Sequence, residues 1–251
     1  MDLLSASLLV AVFATSYVSG VLSLAGGTIL IAIFAWILPV PVTMMLHGVT
    51  QTASNGSRAI IYWRHLRWDI MGRYMVGAAV CLAVFAWLTF VPDKTLLFFL
   101  LGIMPFVNFL VPKGYALDIV RPSNSYVCGF INSATQLTAG VSGPLLDIFF
   151  VRTSLTRFEI HATKGLTQTL GHIMKIIYFA VILGFFEEAF VQLPAWLYIA
   201  VIPTAYLGNL AARQVVQKMS DSFFKGLTQY FAMGMGVIFL IKAFSLLLEN
   251  P

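Results

Sequence analysis

Long apolar runs separated by short polar segments extend along the whole chain. A helix that crosses a bilayer needs about 20 predominantly apolar residues. The first half contains five apolar runs, at 3–24, 28–38, 41–63, 69–91 and 95–111. The second run reaches only about half-way through a bilayer, because a helix rises by about 1.5 Å per residue. The pattern therefore predicts helices throughout this half, one of them unusually short.

The second half repeats this order after a polar stretch at 113–123, which follows Pro112 and contains Gly114, Pro122 and two basic residues. Its apolar runs lie at 124–138, 145–151, 157–184, 194–212 and 223–248. The second run is again short. We therefore predict a first membrane repeat at 1–112, a cytoplasmic connecting loop at 113–123 and a second membrane repeat at 124–251.

A shared spacing indicates that the two halves are related. Residues 48–52 (Gly-Val-Thr-Gln-Thr) match residues 165–169 (Gly-Leu-Thr-Gln-Thr) at an offset of 117, and Gly26 and Gly143 are separated by the same number. Over 26–62 the offset gives eight identical pairs in 37. Internal duplication of this kind is common in secondary transporters.

The composition places the protein in a membrane. The 251 residues are 59% hydrophobic and 10% charged, whereas a soluble domain is about 25% charged. A bilayer tolerates such a chain because lipid tails require no polar surface. The opening residues, Met1 to Leu4, carry no positive charge, so we expect the first run to be retained.

Basic residues predict the orientation, because cytoplasmic loops are enriched in Lys and Arg. Arg64, Arg67 and Arg73 place the loop after the third run inside. Alternation then assigns 10 of the 15 basic residues to inner loops and one, Lys94, to an outer loop, with the N-terminus outside. The protein is therefore expected to be a multi-pass protein of the inner membrane.

An odd number of segments per half gives the halves opposite orientations. We therefore predict an all-α polytopic membrane protein of two inverted repeats, each with about five helical segments. A broken or re-entrant helix hairpin is expected at the start of each repeat, although each hairpin could instead be two full spans. In this architecture the binding site lies near the bilayer midplane.

Two polar stripes are candidates for that site, because their residues recur every three or four positions on one face of a helix. The first stripe contains His47, Thr50, Gln51, Ser54, Asn55, Arg58 and Tyr62. The second contains His161, Lys164, Thr167, Gln168, His172, Lys175 and Tyr178. Polar residues inside membranes often only join helices, but ionisable groups buried in both repeats indicate a pathway. Their basic character favours an anion.

The glycines before each short run offer further donors. If Gly26, Gly27 and Gly143 lie at the tips of hairpins, free N–H groups at helix starts would face the midplane and suit an oxyanion. The alternative is that they only permit close helix packing. Asp147 is expected to pair with a nearby base, or to carry a coupling proton.

The sequence lacks the motifs of metal and nucleotide sites. It has no HExxH, no CxxC and no Walker motif, so we expect no metal, no cofactor and no direct drive by ATP. Nucleic acid is not an expected partner either, because loop topology accounts for most of the positive charge. The two cysteines, Cys81 and Cys128, are expected to pack in apolar surroundings.

The chain resembles the TauE/SafE family of sulfite and organosulfonate permeases, also called the TSUP family. The resemblance rests on the related halves, the turn at 25–28, residues 140–144, the Ala-Thr-Lys at 162–164, and Tyr62 before the loop that ends at 67–69. One departure is His47, where the second half has Lys164. The resemblance implies transport of sulfite, thiosulfate or an organosulfonate, coupled to an ion gradient of protons or sodium.

We therefore expect a secondary transporter, not an enzyme, that moves a small sulfur-containing anion through a midplane site. The alternatives are a membrane-embedded enzyme that uses His161 or His172 as a base, and an accessory subunit of a membrane complex. The expected substrate-binding residues are Gly26, Gly27, His47, Thr50, Gln51, Asn55, Gly143, Lys164, Thr167, Gln168, His172 and Lys175.

Overall fold

A computed structural model describes residues 2–22, 26–110, 117–150, 153–216 and 221–249. These residues form eleven α-helices. They are α1 (Leu3–Leu22), α2 (Gly26–Ile37), α3 (Val40–Ile61), α4 (Trp68–Leu88), α5 (Lys94–Leu110), α6 (Pro122–Thr138), α7 (Gly143–Phe150), α8 (Arg157–Ile177), α9 (Phe186–Gln192), α10 (Ala195–Val216) and α11 (Asp221–Glu249). A 3₁₀ turn, Trp63–His65, precedes α4, and a π-helical turn, Tyr178–Ile182, extends α8.

The helices follow the predicted apolar runs, with differences at their ends. The two short segments are α2, with 12 residues, and α7, with 8. Helix α7 begins at Gly143 itself, and α6 begins at Pro122, inside the predicted connecting loop. The first residues of that loop, 113–116, lie outside the described residues. Helix α9 was not predicted, because its seven residues are too few to form an apolar run.

The prediction of a multi-pass membrane protein agrees with the length and composition of the helices. Four of them are long and apolar enough to span a bilayer, at Trp68–Leu88, Arg157–Ile182, Ala195–Ala212 and Tyr230–Glu249. Shorter apolar helices occupy Leu3–Ser19, Gly26–Ile37 and Lys94–Val107. Large apolar side chains such as Trp87 point outward from the bundle, as helices surrounded by lipid require.

The helices pack in four extended pairs: α1 with α10, α4 with α6, α5 with α11, and α3 with α8. Two glycines allow the α4–α6 pair to approach closely. A Cβ atom at Gly77 of α4 would lie 2.0 Å from the Tyr126 carbonyl oxygen of α6, and one at Gly129 would lie 2.0 Å from the Tyr74 carbonyl oxygen of α4. Only glycine fits at either position, so the two backbones touch.

The α3–α8 pair lies at the centre of the bundle. Helices α2, α9 and α10 pack against α3, while α4, α6 and α7 pack against α8. Helix α6 also corrects the expectation of a purely apolar segment at 124–138. Its buried face carries polar residues, among them Asn132, Ser133 and Gln136.

Candidate functional site

A small polar cavity lies where the two short helices begin, between the central helices. Its volume is about 50 Å³, which is room for a few heavy atoms. The lining residues come from both halves of the chain and from six helices or their adjoining turns. They are Ser19, Gly27, Thr28, His47, Gln51, Asn55, Gln136, Val141, Ser142, Gly143, Pro144, Gln168 and His172.

The central helices present amides and imidazoles to the cavity from their middle turns. On α3, His47, Gln51 and Asn55 are spaced by four residues and therefore share one face. On α8, Gln168 and His172 have the same spacing. Gln51 is eleven residues from the start of α3 and ten from its end. The cavity is thus near the mid-length of the central helix pair.

The first turns of α2 and α7 form a further part of the cavity wall. Gly27 and Thr28 line the cavity on α2, and Gly143 and Pro144 line it on α7. A helix start has backbone N–H groups without intrahelical partners and a positive dipole end. Two such starts meet at one cavity, which gives it a positive bias.

Each glycine wall lies beside a glutamine amide. A Cβ atom at Gly27 would lie 3.3 Å from Nε2 of Gln51, and one at Gly143 would lie 3.8 Å from Nε2 of Gln168. The two halves therefore place the same pair of groups, a glycine at a helix start and a glutamine from a central helix, on the cavity.

Buried Lys175 and His47 connect the first turn of α2 with the turn that precedes α7. His47 Nε2 lies 2.9 Å from the Gly27 carbonyl oxygen, and Lys175 Nζ lies 2.9 Å from His47 Nδ1. Lys175 Nζ also donates to the Gly140 carbonyl oxygen at 2.9 Å. A carbonyl oxygen only accepts, so His47 carries its hydrogen on Nε2 and accepts from Lys175 at Nδ1. Both side chains are fully buried.

No carboxylate balances this lysine among the residues that the structure describes. The charged or titratable groups that act on His47 are Lys175 and His172, whose ring centroid lies 5.5 Å from that of His47. Helix α7, whose first turn lines the cavity, carries Asp147, but this carboxylate is bound by Lys164. An ammonium buried without a counter-ion is costly, and a bound anion would remove that cost.

Gln136 of α6 was missed by the sequence analysis. Its Nε2 donates to Ser142 Oγ at 3.1 Å and lies 3.5 Å from His172 Nε2. Its Oε1 is buried and has no hydrogen-bond partner in the described part of the chain. The available signal was the four-residue spacing of Asn132 and Gln136, which puts two amides on one face of a helix that we had read as apolar.

Several predicted site residues lie beside the cavity without lining it. The hydroxyls of Thr50 and Thr167 donate within their own helices, to the carbonyl oxygens of Leu46 and Lys164. Lys164 binds Asp147, which confirms the expected ion pair. The Thr-Gln pair that is repeated in the two halves thus directs its glutamines, and not its threonines, to the cavity.

The glycines divide between the two roles that the sequence left open. Gly26 serves close packing, since a Cβ atom there would lie 2.2 Å from the Thr15 carbonyl oxygen of α1. Gly27 and Gly143 line the cavity. Gly140, where the chain turns between α6 and α7, has the left-handed backbone conformation, with φ of 71°.

The enzyme alternative used His161 or His172 as a base; His172 lines the cavity, and His161 does not. His161 is exposed, and its ring stacks on that of Tyr62, with centroids 5.8 Å apart. The same surface holds the ion pair of Arg67 with Glu159. Within the described residues no group of three His, Cys, Asp or Glu side chains could hold a metal ion.

The comparison with protein families gives one result. A family model described as "Sulfite exporter TauE/SafE" matches residues 8–239. No curated protein and no solved structure matches the chain.

Proposed function

Because the chain belongs to the TauE/SafE sulfite exporter family, whose members are membrane transporters and not enzymes, we propose that it carries a small inorganic sulfur oxyanion through the polar cavity. Membership implies membrane transport of sulfur anions; the substrate, the site and the mechanism are our proposal. The observation that carries it is the fully buried Lys175, held beside a polar cavity and away from any described carboxylate.

The chemistry of the lining supports an oxyanion. Gln51, Gln168 and Asn55 supply neutral amide donors, and the starts of α2 and α7 supply backbone donors with a positive dipole. Hydrogen bonds to a charged acceptor contribute about 1.5–3 kcal/mol each. Several convergent N–H donors can therefore replace much of the hydration shell of an oxyanion.

The size of the cavity favours the smallest of the family's substrates. About 50 Å³ holds a few heavy atoms, which suits sulfite or thiosulfate. An organosulfonate has the same charged head but adds a carbon chain, which needs more room than sulfite or thiosulfate in this small cavity. We therefore rank sulfite and thiosulfate above organosulfonates.

The pairing of the helices supports a pseudo-two-fold relation between the two repeats, and the loop charges favour its inverted form, which would permit alternating access. If α1 corresponds to α6 and α4 to α10, the α1–α10 pair corresponds to the α6–α4 pair. The remaining pairs, α3–α8 and α5–α11, then join each helix to its own counterpart. A pseudo-two-fold axis requires this pattern, and rocking of one repeat against the other would open the cavity alternately to each side.

The test is exchange of labelled sulfite in proteoliposomes containing the purified protein. In the double variant Gln51→Ala/Gln168→Ala we expect exchange to fall at least about tenfold, because each lost hydrogen bond to an anion is worth about 1.5–3 kcal/mol. The matched control is Thr50→Ala/Thr167→Ala, which removes neighbouring polar groups from the same helices and should change exchange less than about twofold. Equal exchange in both double variants would contradict the site.

A further inference from the structure

The Lys175–His47 contact joins residues 128 positions apart in the sequence, one from each central helix. It connects the Gly27 carbonyl oxygen at the start of α2 with the Gly140 carbonyl oxygen at the turn before α7. The Lys175–His47 contact therefore reaches the first turn of α2 and the turn before α7, which both adjoin the cavity. Its titratable groups have no role so far except to supply positive charge.

The geometry accommodates two protonation states of the pair without loss of a hydrogen bond. In the charged state the Lys175 ammonium donates to His47 Nδ1 and to the Gly140 oxygen, while His47 Nε2–H donates to the Gly27 oxygen. In the neutral state the amine still has two hydrogens, one for each of its two acceptors. One proton can therefore be added or removed while all three contacts remain.

None of the described groups around the pair supplies a buried, unpaired negative charge, so binding of the proton depends on the anion. Helix α2 carries no titratable residue, and the neutral buried groups on the other elements packed against the pair are Tyr74, Cys81, Cys128, Tyr178 and Tyr198. Asp147 on α7 is bound by Lys164, Asp69 and Arg73 on α4 pair with each other, and Glu187 and Glu188 on α9 are exposed.

His172 is the remaining neighbour, and it can only add positive charge. An empty cavity therefore favours the neutral pair, because burial disfavours an unbalanced ammonium. A bound anion favours the charged pair. By linkage, the proton must strengthen anion binding by the same factor.

We propose, on the basis of the function proposed above, that the Lys175–His47 pair is a proton-binding site that takes up and releases one proton together with each anion. The transporter then moves anion and proton in the same direction and couples anion flux to a proton gradient.

The experiment uses labelled thiosulfate, which stays fully ionised near neutral pH, so that a proton moving with it must be carried by the protein. Proteoliposomes receive a pH gradient of one unit, acidic outside, with the membrane potential clamped at zero. With one proton per anion, the unaltered protein should accumulate label about tenfold at equilibrium. This ratio does not depend on the rate, so a slow variant remains informative.

Lys175→Arg retains a cation that cannot release its proton, and we expect its accumulation ratio to fall from about tenfold to about one. Lys242→Arg is the matched control on α11, where the lysine lies over the Trp36 ring; it should keep the tenfold ratio. Lys175→Met, which removes the titratable group, should also lose accumulation.

Two results would overturn the inference. One is an accumulation ratio of about one in the unaltered protein while thiosulfate exchange without a gradient proceeds; this measurement stands even if no variant folds. The other is tenfold accumulation in Lys175→Arg. Absence of thiosulfate and sulfite exchange in the unaltered protein would instead contradict the transport function itself.

Discussion

At the scale of single residues, neighbours in the sequence have different roles because they face different partners. Thr50 and Gln51 are adjacent on α3, yet the threonine hydroxyl donates to the Leu46 carbonyl oxygen while the glutamine lines the cavity. Successive residues on a helix point about 100° apart. A single position therefore separates a group that serves its own helix from one that can contact a substrate.

Gly27 gives a test at this scale. A Cβ atom there would lie 3.3 Å from the Gln51 amide, so Gly27→Ala should displace the amide and raise the KM for sulfite about tenfold, which corresponds to about 1.4 kcal/mol. Thermal stability should not fall, since alanine favours a helix over glycine by about 1 kcal/mol. Gly234→Ala, where nothing lies within 4 Å, is the control. An unchanged KM in Gly27→Ala would contradict a role for the Gln51 amide.

Lys164 gives a second test, because the sequence placed it in the site and the structure binds it to Asp147. If its role is that ion pair, Asp147→Asn should lower the melting temperature, because it leaves the half-buried Lys164 ammonium unpaired. The double variant Lys164→Met/Asp147→Asn should recover much of the loss, with sulfite exchange within about twofold of the original. Sulfite exchange measures the effect on transport, and the melting temperature measures the effect on stability. Loss of exchange in a stable double variant would show that Lys164 serves the substrate.

At the scale of elements, glycines decide how closely two helices can pack. Gly77 and Gly129 face each other's helices at the α4–α6 crossing, where a Cβ atom at either would lie 2.0 Å from a backbone oxygen. Backbone atoms cannot move aside as a flexible side chain can. Residue size at these two positions therefore sets the distance between the helices.

A substitution at that crossing should separate the helices. We expect Gly77→Ala to destabilise the protein by about 1–3 kcal/mol, the usual cost of overpacking, which unfolding in detergent would measure. Gly72→Ala is a control on the same helix, where nothing lies within 4 Å. If both variants melt at the same temperature, the close approach at Gly77 does not contribute to stability.

At the scale of the whole molecule, the relation between the halves decides the mechanism. Helices α3 and α8 are the third segments of the two halves, and the loops that follow them correspond to each other. Inverted repeats place these loops on opposite sides of the membrane, whereas parallel repeats place them on the same side. The positive charge of the first loop predicts that it lies inside.

Labelling of single introduced cysteines distinguishes these arrangements. His65 is exposed in the connection after α3, and Glu187 is exposed on α9, in the corresponding connection after α8. We expect His65→Cys to react with an impermeant maleimide only from the cytoplasmic side, and Glu187→Cys only from the outer side. The native cysteines provide little background, since Cys81 and Cys128 are buried. Reaction of both positions from one side would rule out inverted repeats.

The sequence alone was sufficient for the membrane class, for most of the helices and for the two breaks before α2 and α7. Backbone groups inside lipid must be satisfied within the segment, so long apolar runs leave helices as the available structure. The glycines and the repeated spacing marked the starts of α2 and α7, because both are local features of the sequence. Helix α9 was missed because seven residues are too few to show periodicity. The polar face of α6 was missed because its polar residues alternate with apolar ones in a segment that is apolar on average.

The tertiary structure decided which polar groups meet. A sequence determines the face of a helix on which a residue lies, but not how far that helix slides or rotates against another. The contact of Lys175 with His47 crosses 128 residues, and the approach of Gln136 to His172 joins α6 to α8. Both depend on the packing of separate helices around α3 and α8, which local patterns do not contain.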